Sequence, residues 1–326
     1  MKTKQRILLV LAALAAVLGL ALWLVTRSNA KAEEAASAAA DGTIPLSAFA
    51  GADLEQIEYT WNGETYILQY TDDTWLLAQD PAYHLDSSAC NTMRTALMAL
   101  NAKRQFTARQ GEDYGFADPL LTVTVTAAGQ STTLTFGAQN PVTGDLYVQK
   151  AGDDAIYTVD GNKAACFELD KAGLFGSFCP AGLTASAIGQ VDYTLADGET
   201  VHLTAVSEPV ESTADSAAGD SAEYQTVWRL ADDPDLDLDQ SKVQSMLSAL
   251  GSYVSGQITA ADPDAYGFAE PVVALQVTGD EGTVQLAYAC GTDGYYLQVE
   301  GDASVYTVDQ STVQALLCTA EDLKIQ

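Results

Sequence analysis

Tyr114-Gly115-Phe116-Ala117-Asp118-Pro119 returns 152 residues later as Tyr266-Gly267-Phe268-Ala269-Glu270-Pro271, and these two blocks decide how the rest of the chain is read. The flanking sequence repeats in the same order. Trp75-Leu76-Leu77-Ala78 meets Trp228-Arg229-Leu230-Ala231, Pro81 meets Pro234, Leu85-Asp86 meets Leu238-Asp239, Met93 meets Met246 and Leu97 meets Leu250. Downstream, Tyr157-Thr158-Val159-Asp160 meets Tyr306-Thr307-Val308-Asp309; upstream, Gln56-Ile57-Glu58-Tyr59-Thr60 meets Gln190-Val191-Asp192-Tyr193-Thr194. One insertion, about residues 208–225, widens the separation; it reads EPVESTADSAAGDSAEYQ, small, polar and acidic as a surface loop is. The chain is therefore expected to carry one module twice, at 48–182 and 183–326.

Within each copy the residue periodicities point to strands and one main helix. Runs at 57–60, 65–70 and 74–77 are rich in β-branched and aromatic residues and are separated by Asn-Gly and Asp-Asp turns. Met93, Ala96, Leu97 and Leu100 recur at helical spacing, which predicts a helix over 86–103 with Asp86 as its N-cap and Asp239 heading its counterpart. Alternating runs at 121–126, 132–136, 146–150 and 155–159 follow, with a short second helix near 163–169. The order βββ-α-ββββ-α with short loops gives an α+β fold, an antiparallel sheet with a helix on one face, used twice.

The repeated residues are those that pack and turn. In the block Tyr114, Gly115, Phe116 and Pro119, and in its copy Tyr266, Gly267, Phe268 and Pro271, the glycine supplies a positive-φ turn and the aromatics cover the core edge. The proline starts the next strand where one donor is spare. Groups that do chemistry are not repeated. The two histidines, His84 and His202, have no histidine counterparts, and no nucleophile elbow or phosphate loop occurs. No catalytic residue, cofactor or firm metal site is expected. The nearest thing to a metal site is the acidic ladder Asp233, Asp235, Asp237 and Asp239, whose carboxylates suit Ca²⁺. An EF-hand loop from Asp235 would need glycine and glutamate where Gln240 and Met246 stand, so an acidic strand-to-helix connection is the preferred reading.

Residues 7–25 carry no charge and follow Lys2, Lys4 and Arg6, with Arg27 and Lys31 after them. Nineteen apolar residues approach the length of a membrane-spanning helix, so a retained anchor is expected, with residues 1–6 cytoplasmic, a tether at 26–47, and the modules outside. A cleaved signal peptide is the competing reading, and it places the modules outside as well. Three of the 15 basic residues lie in the first 26, which leaves 12 against 44 acids beyond them, a formal charge of −32. A polyphosphate would be repelled by that field, so nucleic acid is excluded as a partner. Five cysteines, Cys90, Cys166, Cys179, Cys290 and Cys318, make an odd count without a CxxC pair. Buried free thiols are expected ahead of a Cys166–Cys179 bridge.

An N-terminal apolar segment, then Tyr-Gly-hydrophobic-x-x-Pro, alternating strands and a late Val/Ile-Tyr-x-Val, resembles the DUF4340 family of bacterial envelope proteins. The carriers here are Tyr114-Gly115-Phe116 with Pro119 and Ile156-Tyr157-Thr158-Val159, and Tyr266-Gly267-Phe268 with Pro271 and Val305-Tyr306-Thr307-Val308. The resemblance implies an auxiliary component of ABC-type export systems related to those linked with gliding motility, with no catalytic residues to carry over. The leading expectation is a non-enzymatic accessory protein held at the membrane, with an ABC-type permease or other envelope protein as partner. A cation-binding or adhesion module, and a carboxylate enzyme of wall glycans, are the alternatives.

Overall fold

The structure, a computed structural model, describes residues 44–47, 49–98, 100–209 and 224–325. The expected span at 7–25, the tip before it and all but the last residues of the tether lie outside the described residues. Among the described residues no helix is long and apolar enough to cross a membrane.

The chain forms two compact units, residues 44–78 with 88–170, and residues 79–87 with 171–325. In the first unit, β1 (Ile44–Pro45) precedes β2 (Leu54–Trp61), β3 (Glu64–Thr71), β4 (Thr74–Leu77) and α1 (Ser87–Met98). Then come β5 (Asn101–Ala102), β6 (Arg104–Thr107), β7 (Leu121–Ala127), β8 (Gln130–Gln139), β9 (Leu146–Lys150) and β10 (Ala155–Val159). The second unit holds β11 (Ile188–Leu195), β12 (Thr200–Pro209), β13 (Tyr224–Leu230), α2 (Gln240–Leu250) and β14 (Gly256–Ile258). It ends with β15 (Val273–Gly279), β16 (Gly282–Cys290), β17 (Tyr295–Val299), β18 (Val305–Val308) and α3 (Gln310–Leu316).

Each unit is built on one eight-stranded sheet, ordered β4-β3-β2-β7-β8-β9-β10-β6 in the first and β13-β12-β11-β15-β16-β17-β18-β14 in the second. Position by position the two orders are the same, and the pairings within them are antiparallel. The α+β class and the tandem duplication are thus features of the fold. Turn chemistry closes the hairpins: Asn62-Gly63, Asp72-Asp73 and Ala128-Gly129 hold both central residues at positive φ, the mirror-image turn that matches strand twist.

One face of each sheet is apolar and covered. On β11 and β15, Val191, Tyr193, Leu195, Val273, Leu275 and Val277 point inward, and Val243, Met246, Leu247 and Leu250 of α2 join them in one core. In the first unit, Cys90, Met93 and Leu97 are the buried positions of α1, at helical spacing. The duplicated frame repeats individual hydrogen bonds, long-range and local. Asp86 N donates to Leu174 O at 2.8 Å and Asp239 N to Leu323 O at 2.8 Å. Tyr157 Oη donates to Asp153 Oδ2 and Tyr306 Oη to Asp302 Oδ2, both at 2.5 Å.

Four details differ from expectation. Each sheet has an eighth strand, β6 or β14, which follows the helix and pairs with the final strand of its sheet. These edge strands have four and three residues, too short to show an alternation. The helix expected at 86–103 ends at Met98, where Leu100 N turns back to Leu97 O and Asn101–Ala102 pairs with Ile44–Pro45. In place of a helix at 163–169 stand two 3₁₀ turns, Gly161–Lys163 and Ala165–Phe167; only the second copy has an α-helix there. The expected insertion is shorter at both ends, because Glu208 and Pro209 pair with Gln225 and Tyr224 as strand residues.

Candidate functional site

The face of the second sheet opposite α2 is uncovered, and its outward positions are polar. Strand register aligns His202 of β12, Asp192 of β11, Gln276 of β15 and Gln285 of β16 in one row across the sheet. Glu300 extends the row, its N–H donating to Gln285 O at 3.0 Å. The neighbouring row is small: Thr194, Ala274 and Ala287 stand opposite one another, with Gln298 at its end. Small side chains beside long ones leave a shallow hollow of about 510 Å³. It is lined by His202, Asp192, Thr194, the three glutamines and Glu300.

A fixed pair sits at one end of the hollow. His202 Nδ1 lies 2.8 Å from Asp192 Oδ1, and Asp192 Oδ2 accepts from Gln190 Nε2 at 2.6 Å. The carboxylate therefore orients the imidazole. Among the lining residues no cysteine or serine stands in the hollow, and the Tyr193 hydroxyl points the other way, to Cys318 O. The arrangement offers an ordered set of amide, imidazole and carboxylate groups for hydrogen bonding.

The first copy does not reproduce this surface. At the matching outward positions Glu58 faces Ile67 rather than histidine, and Thr124 and Thr133 replace the two glutamines. Thr124 and Thr133 bond to each other at 2.9 Å, as do Thr60 and Thr65 at 2.8 Å, so that face is a self-satisfied threonine ladder.

The acidic ladder of residues 233–239 is not gathered into one place. Asp239 caps α2, accepting from Ser241 N at 3.0 Å and Lys242 N at 3.4 Å. Hydrogen bonds from Ser241 hold its carboxyl below the ordinary value. Asp237 Oδ1 binds Arg229 Nη1 at 2.7 Å, and Arg229 also grips Glu208 with Nε and Nη2. Backbone N–H of Leu236 bonds to Asp233 O. Among the described residues no group of three or more His, Cys, Asp or Glu is placed to hold a metal ion, and Asp235 joins none.

The repeated aromatic block is a joint. Gly115 sits at φ +79° and a Cβ there would lie 2.4 Å from Ala138 N; Gly267 at φ +91° would meet Cys290 O at 2.7 Å. Tyr114 packs edge-on to Tyr147, and Tyr266 edge-on to Tyr296, both with centroids 5.0 Å apart. Phe116 stacks on Tyr114 at 6.3 Å, while Pro119 and Pro271 precede β7 and β15. His84 is a packing residue, stacked on Phe178 at 4.1 Å with Nδ1 2.7 Å from Gly176 O. All five cysteines are free thiols, so the Cys166–Cys179 bridge is not formed.

Fold and surface define a tandem α+β protein, two antiparallel sheets built to one plan with an open polar face on the second. The chain belongs to the DUF4340 family: the model of that family, described as a domain of unknown function, matches residues 75–227 and again residues 228–324. Each match starts at a tryptophan of a sheet's outermost strand, Trp75 of β4 or Trp228 of β13. Nothing among the curated proteins or the solved structures matches the chain.

Sequence reasoning set His202 aside because it has no counterpart. The signal that would have found the hollow is the outward half of each strand: Asp192, His202, Gln276 and Gln285 stand where the first copy has Glu58, Ile67, Thr124 and Thr133.

Proposed function

We propose that this chain is a non-enzymatic accessory protein, anchored by residues 7–25 with its modules outside the cytoplasm, and auxiliary to an ABC-type transport system. The open face of the second sheet is its recognition surface. The observation that carries the reading is the way the two copies differ. Their buried frame is conserved between copies down to single hydrogen bonds, whereas the exposed row reads Ile67, Glu58, Thr124 and Thr133 in the first copy and His202, Asp192, Gln276 and Gln285 in the second. A change of chemistry across a solvated face over an unchanged buried frame is what a binding role produces. A formal charge of −29 suits a partner with basic extracytoplasmic loops.

The test is site-specific photo-crosslinking in cells. A benzophenone amino acid at position 276 is expected to capture a permease subunit, and the same label at position 124 to capture none. The double variant His202→Ala, Gln285→Ala, carrying the same label at position 276, should lose the crosslink while folding normally. Deletion of residues 1–26 should release the protein from the membrane fraction. Equal labelling from both positions, or no permease among the products, would remove the proposal.

A further inference from the structure

We propose that the first unit binds one acidic sugar residue, a ring carrying a carboxylate or phosphate, in the pocket between β6 and the Tyr114 block. This pocket lies outside the surface assigned above and does not depend on that assignment. Its volume is about 240 Å³, small enough to hold a single sugar ring rather than an oligomer. Phe106, Tyr114 and Tyr147 line it and touch one another, with centroids 5.0 to 6.2 Å apart. The two tyrosine hydroxyls are tied down. Asn140 Nδ2 donates to Tyr147 Oη at 2.8 Å, and Tyr114 Oη donates to Glu112 Oε2 at 2.6 Å. Phe106 and Tyr147 are only half-buried, so aromatic surface is available to the C–H face of a ring.

The cations are what set this pocket apart. Arg94, Arg104, Arg109 and Arg229 are the arginines among the described residues. Arg229 is held by Glu208 and Asp237, and Arg94 lies 5.0 Å above Tyr70. The other two line this pocket. Arg109 is 3.6 Å from Glu112, while Arg104 is exposed and has no ion pair among the described residues. In a chain with 44 acidic and 15 basic residues, a guanidinium left without a carboxylate is not short of candidates. Its planar fork fits a carboxylate or phosphate.

The second copy shows what the frame needs without a ligand. Residues 104–119 align without a gap to 256–271, so Gln105, Thr107 and Tyr114 keep their identities as Gln257, Thr259 and Tyr266. Arg104 and Arg109 become Gly256 and Ala261, and Phe106 becomes Ile258. Thr158, which faces Arg104 in the ladder, corresponds to Thr307. Thr307 Oγ1 pairs with Ser255 Oγ at 3.1 Å, but Thr158 Oγ1 is buried with no hydrogen-bond partner among the described residues, and Thr158 itself is 5% exposed. An unmet buried hydroxyl costs on the order of 1–3 kcal/mol. Guarding an edge strand would account for the exposure of Arg104. It accounts neither for the convergence of Arg109 and three aromatics nor for the unmet Thr158, which a ligand drawing Arg104 aside would reach.

Ligand-observed NMR on the purified full-length chain tests this with three probes: glucuronate, glucose 6-phosphate and glucose. At least one acid should bind, about tenfold or more tighter than glucose, and added salt should weaken it. Which acid binds identifies the charged group. Arg104→Gly, which installs the second copy's residue, should lower that affinity at least about tenfold with an unchanged melting temperature. If Arg104→Gly misfolds, Arg109→Ala on the adjoining loop serves instead. Acids that bind no better than glucose overturn the proposal, and so does a folded variant that binds like the wild type.

Discussion

Tyr193 Oη donates a hydrogen bond to the carbonyl oxygen of Cys318 at 2.5 Å, joining the first strand of the second sheet to the segment after its last helix. Tyr59 does the same in the first unit, reaching Leu169 O at 2.8 Å. Burial pushes both phenols well above their ordinary value, as a neutral donor inside a core requires. Replacing either by phenylalanine leaves a carbonyl without its donor. Tyr59→Phe and Tyr193→Phe should each cost about 1–2 kcal/mol, read as a shift in urea midpoint with an unchanged slope. A near-neutral result at both sites would show that these bonds do not hold the tails in place.

Gly115 and Gly152 separate backbone strain from steric clash. Both have positive φ, +79° and +81°, but an added Cβ meets Ala138 N at 2.4 Å in the first and nothing within 4 Å in the second. Gly152→Ala should cost about 1 kcal/mol from conformation alone. Gly115→Ala should cost more than twice that, as should Gly267→Ala, whose Cβ would lie 2.7 Å from Cys290 O. Thermal melts of the three variants check the ranking.

Acid should weaken the second unit through Asp80. Burial opposes its charge, but hydrogen bonds from Lys171 at 2.8 Å and Thr259 at 2.5 Å outweigh that and hold the carboxyl below its ordinary 3.8. A depressed folded-state value stabilises fully above 3.8 and loses its effect as pH falls below that toward the folded value. Asp80→Asn should therefore melt below wild type at pH 7, and the gap should close as the pH drops below about 4. Melting temperatures of both proteins from neutral pH downward give the test.

The thiols should react in an order set by exposure. Cys290 is exposed and Cys90 fully buried, while burial pushes the Cys166 thiol up to about 11. At pH 8 Cys166 is then thiolate in only about one molecule in a thousand. Brief treatment with a thiol reagent, followed by peptide mass spectrometry, should label Cys290 first and Cys90 only after unfolding.

Much of the frame could be read from the repeated residues. Trp75 with Trp228, Met93 with Met246 and Tyr114 with Tyr266 fixed the duplication, and alternation along 121–126 and 146–150 gave buried strands where the sheet has them. What escaped depends on distant partners. Arg104–Thr107 becomes a strand because β10, fifty residues on, supplies hydrogen bonds, and Leu100 is buried although its helix has already ended. The candidate surface escaped for another reason: Gln276, Gln285 and Glu300 are unremarkable singly and meet only through register.

The eighth strand also sets an order of events for the growing chain. β14 follows its helix directly, yet its partner β18 begins at Val305, and β11 waits for β15 across the whole hairpin and helix. The second sheet therefore cannot close its β18-β14 edge until nearly all of its residues have been made. A ribosome that stalls short of residue 305 leaves a bare edge at β17, which is sealed only when the residues of β18 arrive.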